Sequence, residues 1–336
     1  MTDPTTTPVY DTYWRWIAER QAMYERRLVD AVGPWTEDPV LAAHRFTNVF
    51  RVADRVSQRL VADVQYGPGR SQAIDEVFYR TIVFKTWNRE DVWDELELRL
   101  GPISWQATPP SEIVKVLDAM HSRGSRVYSA AYIMPAPPFG HARKHANHCA
   151  LIRSMMDDGL PARLSKTTGL GQVYEALLSY PGIGRFLAFQ YAIDLNYSSM
   201  LDHPESDFVV AGPGAIDGIS KCFADVDGMS PGETIMWMHG RQEMEFDRLG
   251  IRFGGLFGRP PQPIDLQNCL CEISKYARVV HPEHPGSAGR TRIKQAYAHA
   301  DRPVLPRPFL PPRWKVRIPD YSVPRAAAPA QSDLFG

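Results

Sequence analysis

Leu177-Leu178-Ser179-Tyr180-Pro181-Gly182-Ile183-Gly184-Arg185-Phe186-Leu187-Ala188 decides how this chain is read. Apolar residues at helical spacing lie on both sides of a Pro-Gly-Ile-Gly interruption. The spacing predicts a helix over 173–178, a tight turn, and a second helix over 185–195. Two glycines let the backbone turn sharply and approach another surface closely. The second helix then begins with free N–H groups pointing out of the turn, an end that attracts phosphate without any lysine. Ile183 is expected to plug the two helices together.

Outward from this hairpin the same periodicity recurs. Tyr13, Trp16, Ile17, Met23 and Leu28 predict a helix over 11–32. Val40 to Val61 predict a second over 37–65, Ile74 to Leu96 a third over 71–99, and Pro110-Ser111 starts a fourth over 110–123. Strand signals are confined to Tyr128–Tyr132 and Phe208–Val210. The expectation is a mainly α-helical body over 10–283. From His284 to Gly336 nine prolines exclude long helices and central strands. The same segment holds nine Lys/Arg against three Asp/Glu, a net +6, and reads as an extended basic tail.

The chain of 336 residues balances 38 Lys/Arg against 38 Asp/Glu. That excludes a uniformly basic coat but not a local basic face. No uninterrupted apolar run reaches membrane-spanning length and no secretory signal is evident, so no membrane partner is expected. Four cysteines do not make a disulfide scaffold. The expected location is the cytoplasm, with reduced thiols, of a bacterial or phage-infected cell.

The full hairpin pattern resembles the helix-hairpin-helix of DNA repair glycosylases. That likeness implies a glycosylase-like helical body with the hairpin at about 173–195. It makes Pro181, Gly182, Ile183, Gly184 and Arg185 candidate DNA contacts. In such glycosylases a Gly/Pro-rich stretch and an Asp follow the hairpin. Here Asp207 and Gly212-Pro213-Gly214 follow, then Asp217. Asp207 fits the spacing and Asp217 the local pattern; either is a candidate carboxylate for charge stabilisation or base chemistry, or simply a helix N-cap. Arg185 and Phe186 stand where a bifunctional enzyme carries its Schiff-base lysine, so lyase chemistry is not expected. Only Cys269 and Cys271 are close together, so no iron–sulfur cluster is expected either.

Three further segments narrow the resemblance: Asn48-Val49-Phe50-Arg51-Val52-Ala53-Asp54-Arg55-Val56-Ser57-Gln58, Phe84-Lys85-Thr86-Trp87-Asn88-Arg89, and Asp265-Leu266-Gln267-Asn268-Cys269-Leu270-Cys271-Glu272-Ile273-Ser274-Lys275-Tyr276-Ala277-Arg278. With Gly212-Pro213-Gly214-Ala215, they resemble the helical proteins of thymine hypermodification. These are the α-glutamyl/putrescinyl-thymine pyrophosphorylase and amino acid:DNA transferase-like proteins, with the helical domain named after the 5-hydroxymethyluracil DNA kinase. The resemblance covers about residues 40–280. It implies chemistry on a flipped-out 5-substituted pyrimidine in double-stranded DNA. One form replaces pyrophosphate by an amine; another breaks the bond to the sugar. A non-catalytic DNA-binding module is a third possibility. No Gly-x-x-x-x-Gly-Lys-Ser/Thr is present, so a kinase step would belong to another protein. No cofactor is expected.

Arg51, Arg55 and Arg59 at helical spacing predict a positive stripe, or a solvated face. Lys85 and Arg89 flank Trp87 and, with Arg51, Arg55, Gly212 and Gly214, are candidate DNA contacts. Glu272 and Lys275 are candidate acid–base groups or a buried ion pair. His141, His145 and His148 would share a helical face; they read as pocket lining rather than a metal site. Tyr132, His145, His148, Gln267, Asn268 and Tyr276 are candidate pocket residues. The chain closes on Gln331-Ser332-Asp333-Leu334-Phe335-Gly336. Gln331, Leu334 and Phe335 resemble the peptide that docks bacterial repair proteins on the sliding clamp, with the tail supplying reach.

Overall fold

In the computed structural model, the protein is described over residues 3–297 and 305–321. The described residues form thirteen α-helices and one two-stranded ladder. α1 (Pro8–Val29) is capped by the Thr7 hydroxyl and buries Tyr13, Trp14, Trp16 and Ile17. α2 (Pro39–Ala43) and α3 (Arg55–Arg59) are short. α4 (Ile74–Trp87) and α5 (Glu90–Leu100) follow, then α6 (Pro110–Ser122), α7 (Lys144–Asp157) and α8 (Leu160–Leu164). The hairpin is α9 (Leu170–Leu178) and α10 (Arg185–Asn196). α11 (Pro213–Cys222), α12 (Pro231–Arg248) and α13 (Pro263–Val280) close the body.

α11 lies tightly on α13 because glycine faces it. A Cβ on Gly214 would stand 2.5 Å from Cys271 Sγ, and one on Gly218 would run into the Leu270 carbonyl. The α13 cap is shared with another element: Asp265 accepts the Gln262 amide at 2.9 Å and the Arg51 amide at 2.8 Å. One carboxylate thereby fixes a helix start and the Asn48–Asp54 segment together.

Three local expectations are corrected. The helix over 37–65 is broken. The Asn48 side chain donates to the Ala53 carbonyl at 2.7 Å and the Asn48 amide to Asp54 at 2.8 Å, so side-chain bonds replace the helical ladder there. After α3 the chain continues as a π-helical turn, Leu60–Gln65. The helix over 71–99 splits where Asn88 turns left-handed at φ 51°. Neither expected strand forms; the ladder pairs Thr5–Thr6 with Phe223–Asp225. Tyr128–Tyr132 instead lies within an irregular segment, 123–143.

The described part of the tail is extended and packed. Gln58 holds Phe309 by both backbone groups, accepting its amide at 2.7 Å and donating to its carbonyl at 3.0 Å. Arg313 donates to the Ser198 carbonyl at 2.8 Å and also to the carbonyls of Asn196 and Leu201, satisfying the C-terminal end of α10. No helix among the described residues is long and apolar enough to cross a membrane.

Candidate nucleic-acid face and the charged cluster behind it

The hairpin turn is exposed at Pro181, Gly184 and Arg185, while Ile183 is buried between the helices as expected. Gly182 needs its lack of a side chain twice over. Its φ is +83°, and a Cβ would sit 3.1 Å from Pro137. The turn is thus pressed against the irregular 123–143 segment. Gly184 caps α10 with no side-chain bond and opens onto empty space. The α10 N-terminus therefore presents its first amides outward.

Charge is distributed to match. From Ala119 to Met156, 38 residues, there is no Asp or Glu but five Lys/Arg. Arg126, Arg143 and Lys144 are exposed, and the Lys144 ammonium lies 4.2 Å from the Tyr128 ring. The hairpin from Ala176 to Ile193 also lacks acids. Arg123 and Arg153 pair with Glu95 and Asp157, so the cationic character of this face rests on Arg126, Arg143, Lys144 and Arg185.

Behind the face, α10 carries Asp194 into a buried cluster. Arg51 Nη1 meets Asp194 Oδ1 at 2.6 Å, and Arg51 Nε donates to Gln190 Oε1 at 3.0 Å. Lys85 Nζ lies 3.3 Å from Asp194 Oδ2 and donates to Asn88 Oδ1 at 2.7 Å. The half-buried Tyr132 ring covers this ammonium at 5.1 Å and touches Phe186 of α10 at 6.1 Å. Among the described residues Arg51 Nη2 and Gln190 Nε2 have no hydrogen-bond partner. The positive stripe is corrected accordingly. Arg51 and Lys85 point inward, 3% and 2% exposed, because Arg51 sits on a 3₁₀ turn that faces α10. Arg55 pairs with Glu90, Arg59 with Asp94 at 2.6 Å, and Arg89 with Asp91 across the start of α5. Gly212 and Gly214 face protein rather than solvent, since a Cβ on Gly212 would meet the Phe186 ring at 2.7 Å.

A cleft of about 580 Å³ opens beside the same Asn48–Asp54 segment. Arg20, Arg45, Asn48, Asp54, Arg55 and Arg307 are among its walls. Asp54 stands half-buried at that wall and also borders a neighbouring opening with Lys275 and Lys294. Burial pushes its carboxyl up to about 7; the Asn48 amide and Arg20 oppose the rise, and Glu272 adds to it. Arg20 donates to Asn48 Oδ1 at 2.6 Å. Glu272 pairs with Lys275 at 2.7 Å and accepts the Thr47 amide at 3.3 Å. Tyr276 donates to Asp38. Asp54 stands between Arg51 and Arg55 and was missed because the spacing of the arginines set the reading of that segment. A short side chain bonding backward to Asn48 was the available signal.

The other expected groups are dispersed. Asp207 is exposed in a 3₁₀ turn and accepts from Ser206 at 2.6 Å. Asp217 is buried and accepts from Ser274 and from the Ala288 amide at 2.6 Å, tying the start of the tail to α11. Neither is among the walls of the clefts described above. Gln267 is buried with its Oε1 unpartnered among the described residues, and Asn268 is half-buried. His141 lies outside α7, so the shared histidine face does not form. His145 pairs with Asp118 at 2.8 Å, and His148 lies 2.8 Å from the Tyr128 hydroxyl. Burial pushes His148 down to about 4, so it is neutral at pH 7 and carries no charge to a phosphate. No group of three or more metal-ligating side chains occurs among the described residues. Gln331, Leu334 and Phe335 lie outside them.

Comparison with known proteins places these segments in one frame. No solved structure matches. A 5-hmdU DNA kinase of Bacillus phage SP10 is 25% identical over 296 residues, covering 82% of this chain and 46% of that protein. The chain thus spans about half the length of this curated relative. The model of the 5-hmdU DNA kinase helical domain matches residues 7–286, which takes in the hairpin, the buried cluster and Asp54. Over nearly its whole helical body, the chain belongs to the 5-hmdU DNA kinase helical-domain family.

Proposed function

We propose that this chain modifies a 5-hydroxymethyluracil-derived base in double-stranded DNA, replacing a pyrophosphate on the 5-methylene carbon by an amine. The exposed Arg126, Arg143, Lys144 and Arg185 around the hairpin turn carry this reading. A duplex is held by guanidinium and ammonium groups and by the open α10 N-terminus. A target base cannot be worked on inside the stack, so it is swung out.

Departure of pyrophosphate breaks a C–O bond and leaves the electron pair on the leaving oxygen. Arg20, Arg45 and Arg55, which line the cleft with Asp54, are the cationic groups suited to the leaving group. The incoming amine forms the new C–N bond and must shed a proton. Asp54, titrating near neutrality, is the carboxylate suited to take it. The chain has no phosphate-binding loop of the Gly-x-x-x-x-Gly-Lys type, so phosphorylation of the hydroxymethyl group is assigned elsewhere. The closing Gln331-Ser332-Asp333-Leu334-Phe335 would tether the enzyme to a sliding clamp; deleting residues 331–336 should abolish clamp capture.

Duplexes carrying 5-hydroxymethyluracil or its pyrophosphate ester, incubated with the chain and a panel of amines, test the reaction by nucleoside mass spectrometry. The expected product is an aminomethyl-linked nucleoside formed from the ester alone. An alkali-labile abasic site would replace this reading with the glycosylase one. Tight binding with every nucleoside unchanged would leave a DNA-binding module.

A further inference from the structure

Ile133 is 95% exposed, the most exposed large apolar side chain among the described residues. Leaving an isoleucine in water forgoes the favourable transfer that burial would give it. Its two neighbours do the opposite. Met134 is buried, and Tyr132 turns inward over Lys85 and against Phe186. The backbone that carries Ile133 is fastened on both sides. The Ser129 amide donates to the Trp87 carbonyl at 2.9 Å, and Pro137 packs on Gly182 of the hairpin turn. Pro135, Pro137 and Pro138 stiffen the run that follows. Ile133 is therefore held out on a braced support beside the turn.

Its surroundings name the occupant. The side chain rises from the 38-residue stretch that contains no acid, next to a hairpin that contains none. An apolar protein partner would not call for a cationic surround; a nucleic-acid duplex presents phosphate at its edge and an apolar stack inside. We infer that Ile133 is a wedge that enters the base stack of duplex DNA at the step vacated by the swung-out pyrimidine. This role rests on the DNA-modifying function proposed above. It makes Ile133 a positioning residue: it holds the stack open and touches no reacting atom.

The test uses the full chain and a duplex with one 5-hydroxymethyluracil flanked by 2-aminopurine. End-label anisotropy reads binding, and 2-aminopurine fluorescence reads unstacking. The unaltered chain should bind and raise the fluorescence. Ile133→Ala should bind within about threefold of it, yet lose most of that rise, since a wedge offsets an unstacking penalty of a few kcal/mol. Ile133→Leu should restore the rise, and the Ala variant should match the unaltered chain on single strands, where there is no stack to open. Undiminished unstacking by Ile133→Ala with normal binding would overturn the wedge alone. Failure of the unaltered chain to bind the duplex would overturn the DNA function and this role with it.

Discussion

Arg51 and Asp54 sit one turn apart on the same segment and do opposite things. Arg51 is locked to Asp194 at 2.6 Å in the interior, and its amide is held by Asp265. Removing one member of a buried ion pair strands the other, so Arg51→Ala should lower stability by about 3–5 kcal/mol. The triple variant Arg51→Met, Lys85→Met, Asp194→Leu strands no charge and should recover much of it. Urea midpoints of the unaltered, single and triple variants check the cluster, and equal losses in the single and triple variants would count against the coupling. Asp54 is the titrating member. Its carboxyl ionises near 4 in an unfolded chain and near 7 in the folded one. Between those values the native state keeps a proton that the unfolded chain has released, so this group's contribution falls as pH rises through the window. Asp54→Asn should therefore gain thermal stability relative to the unaltered protein from pH 5 to pH 8. The same change should lower transfer activity by roughly 10²–10⁴-fold if Asp54 accepts the amine's proton. The segment's importance was legible in its residues, but its geometry was not. Helical spacing assigned Arg51, Arg55 and Arg59 to one surface, whereas the Asn48 side-chain bonds bend the backbone and send Arg51 inside.

At the level of the element, the hairpin was readable almost to the residue. Its cues are local: apolar spacing, a proline, and two glycines with distinct needs. Those needs separate cleanly in the structure. Gly182 combines φ +83° with the Pro137 contact, so Gly182→Ala should destabilise the fold by more than about 1 kcal/mol. Gly184 has an ordinary φ of −84° and open space before it. Gly184→Ala should leave the melting curve within about ±0.5 kcal/mol of the original while weakening duplex binding, because the new methyl stands where a phosphate would approach. Binding unchanged in Gly184→Ala would remove the turn from the DNA face. The glycines of Gly212-Pro213-Gly214 look alike in sequence and do different work. What they meet, Phe186 and Cys271, comes from distant parts of the chain and cannot be read from the motif itself.

Across the whole molecule, composition conceals a polarised charge. The net-zero balance and the +6 tail drew attention to the C-terminus, yet its described part is spent on structure: Arg313 satisfies the end of α10, and its Nε meets Asp202 at 3.0 Å. The cationic surface lies instead where acids are missing, over Ala119–Met156 and the hairpin. A gap in one residue class is harder to notice than a cluster, and the two stretches become one face through the contacts of Pro137 with Gly182 and of Tyr132 with Phe186. The two kinds of arginine should part in experiment. Arg313→Ala should lower stability by roughly 1–3 kcal/mol through the carbonyls it leaves unbonded, with the salt dependence of duplex binding unaltered. Arg126→Ala, Arg143→Ala and Arg185→Ala remove exposed charges and should leave stability nearly unchanged. Each that touches a phosphate should reduce the slope of log affinity against log salt by about 0.9. Titrations of a labelled duplex across salt concentrations measure that slope. Were it to fall with Arg313 and stay fixed with the other three, the binding face would have to be moved from the hairpin to the tail.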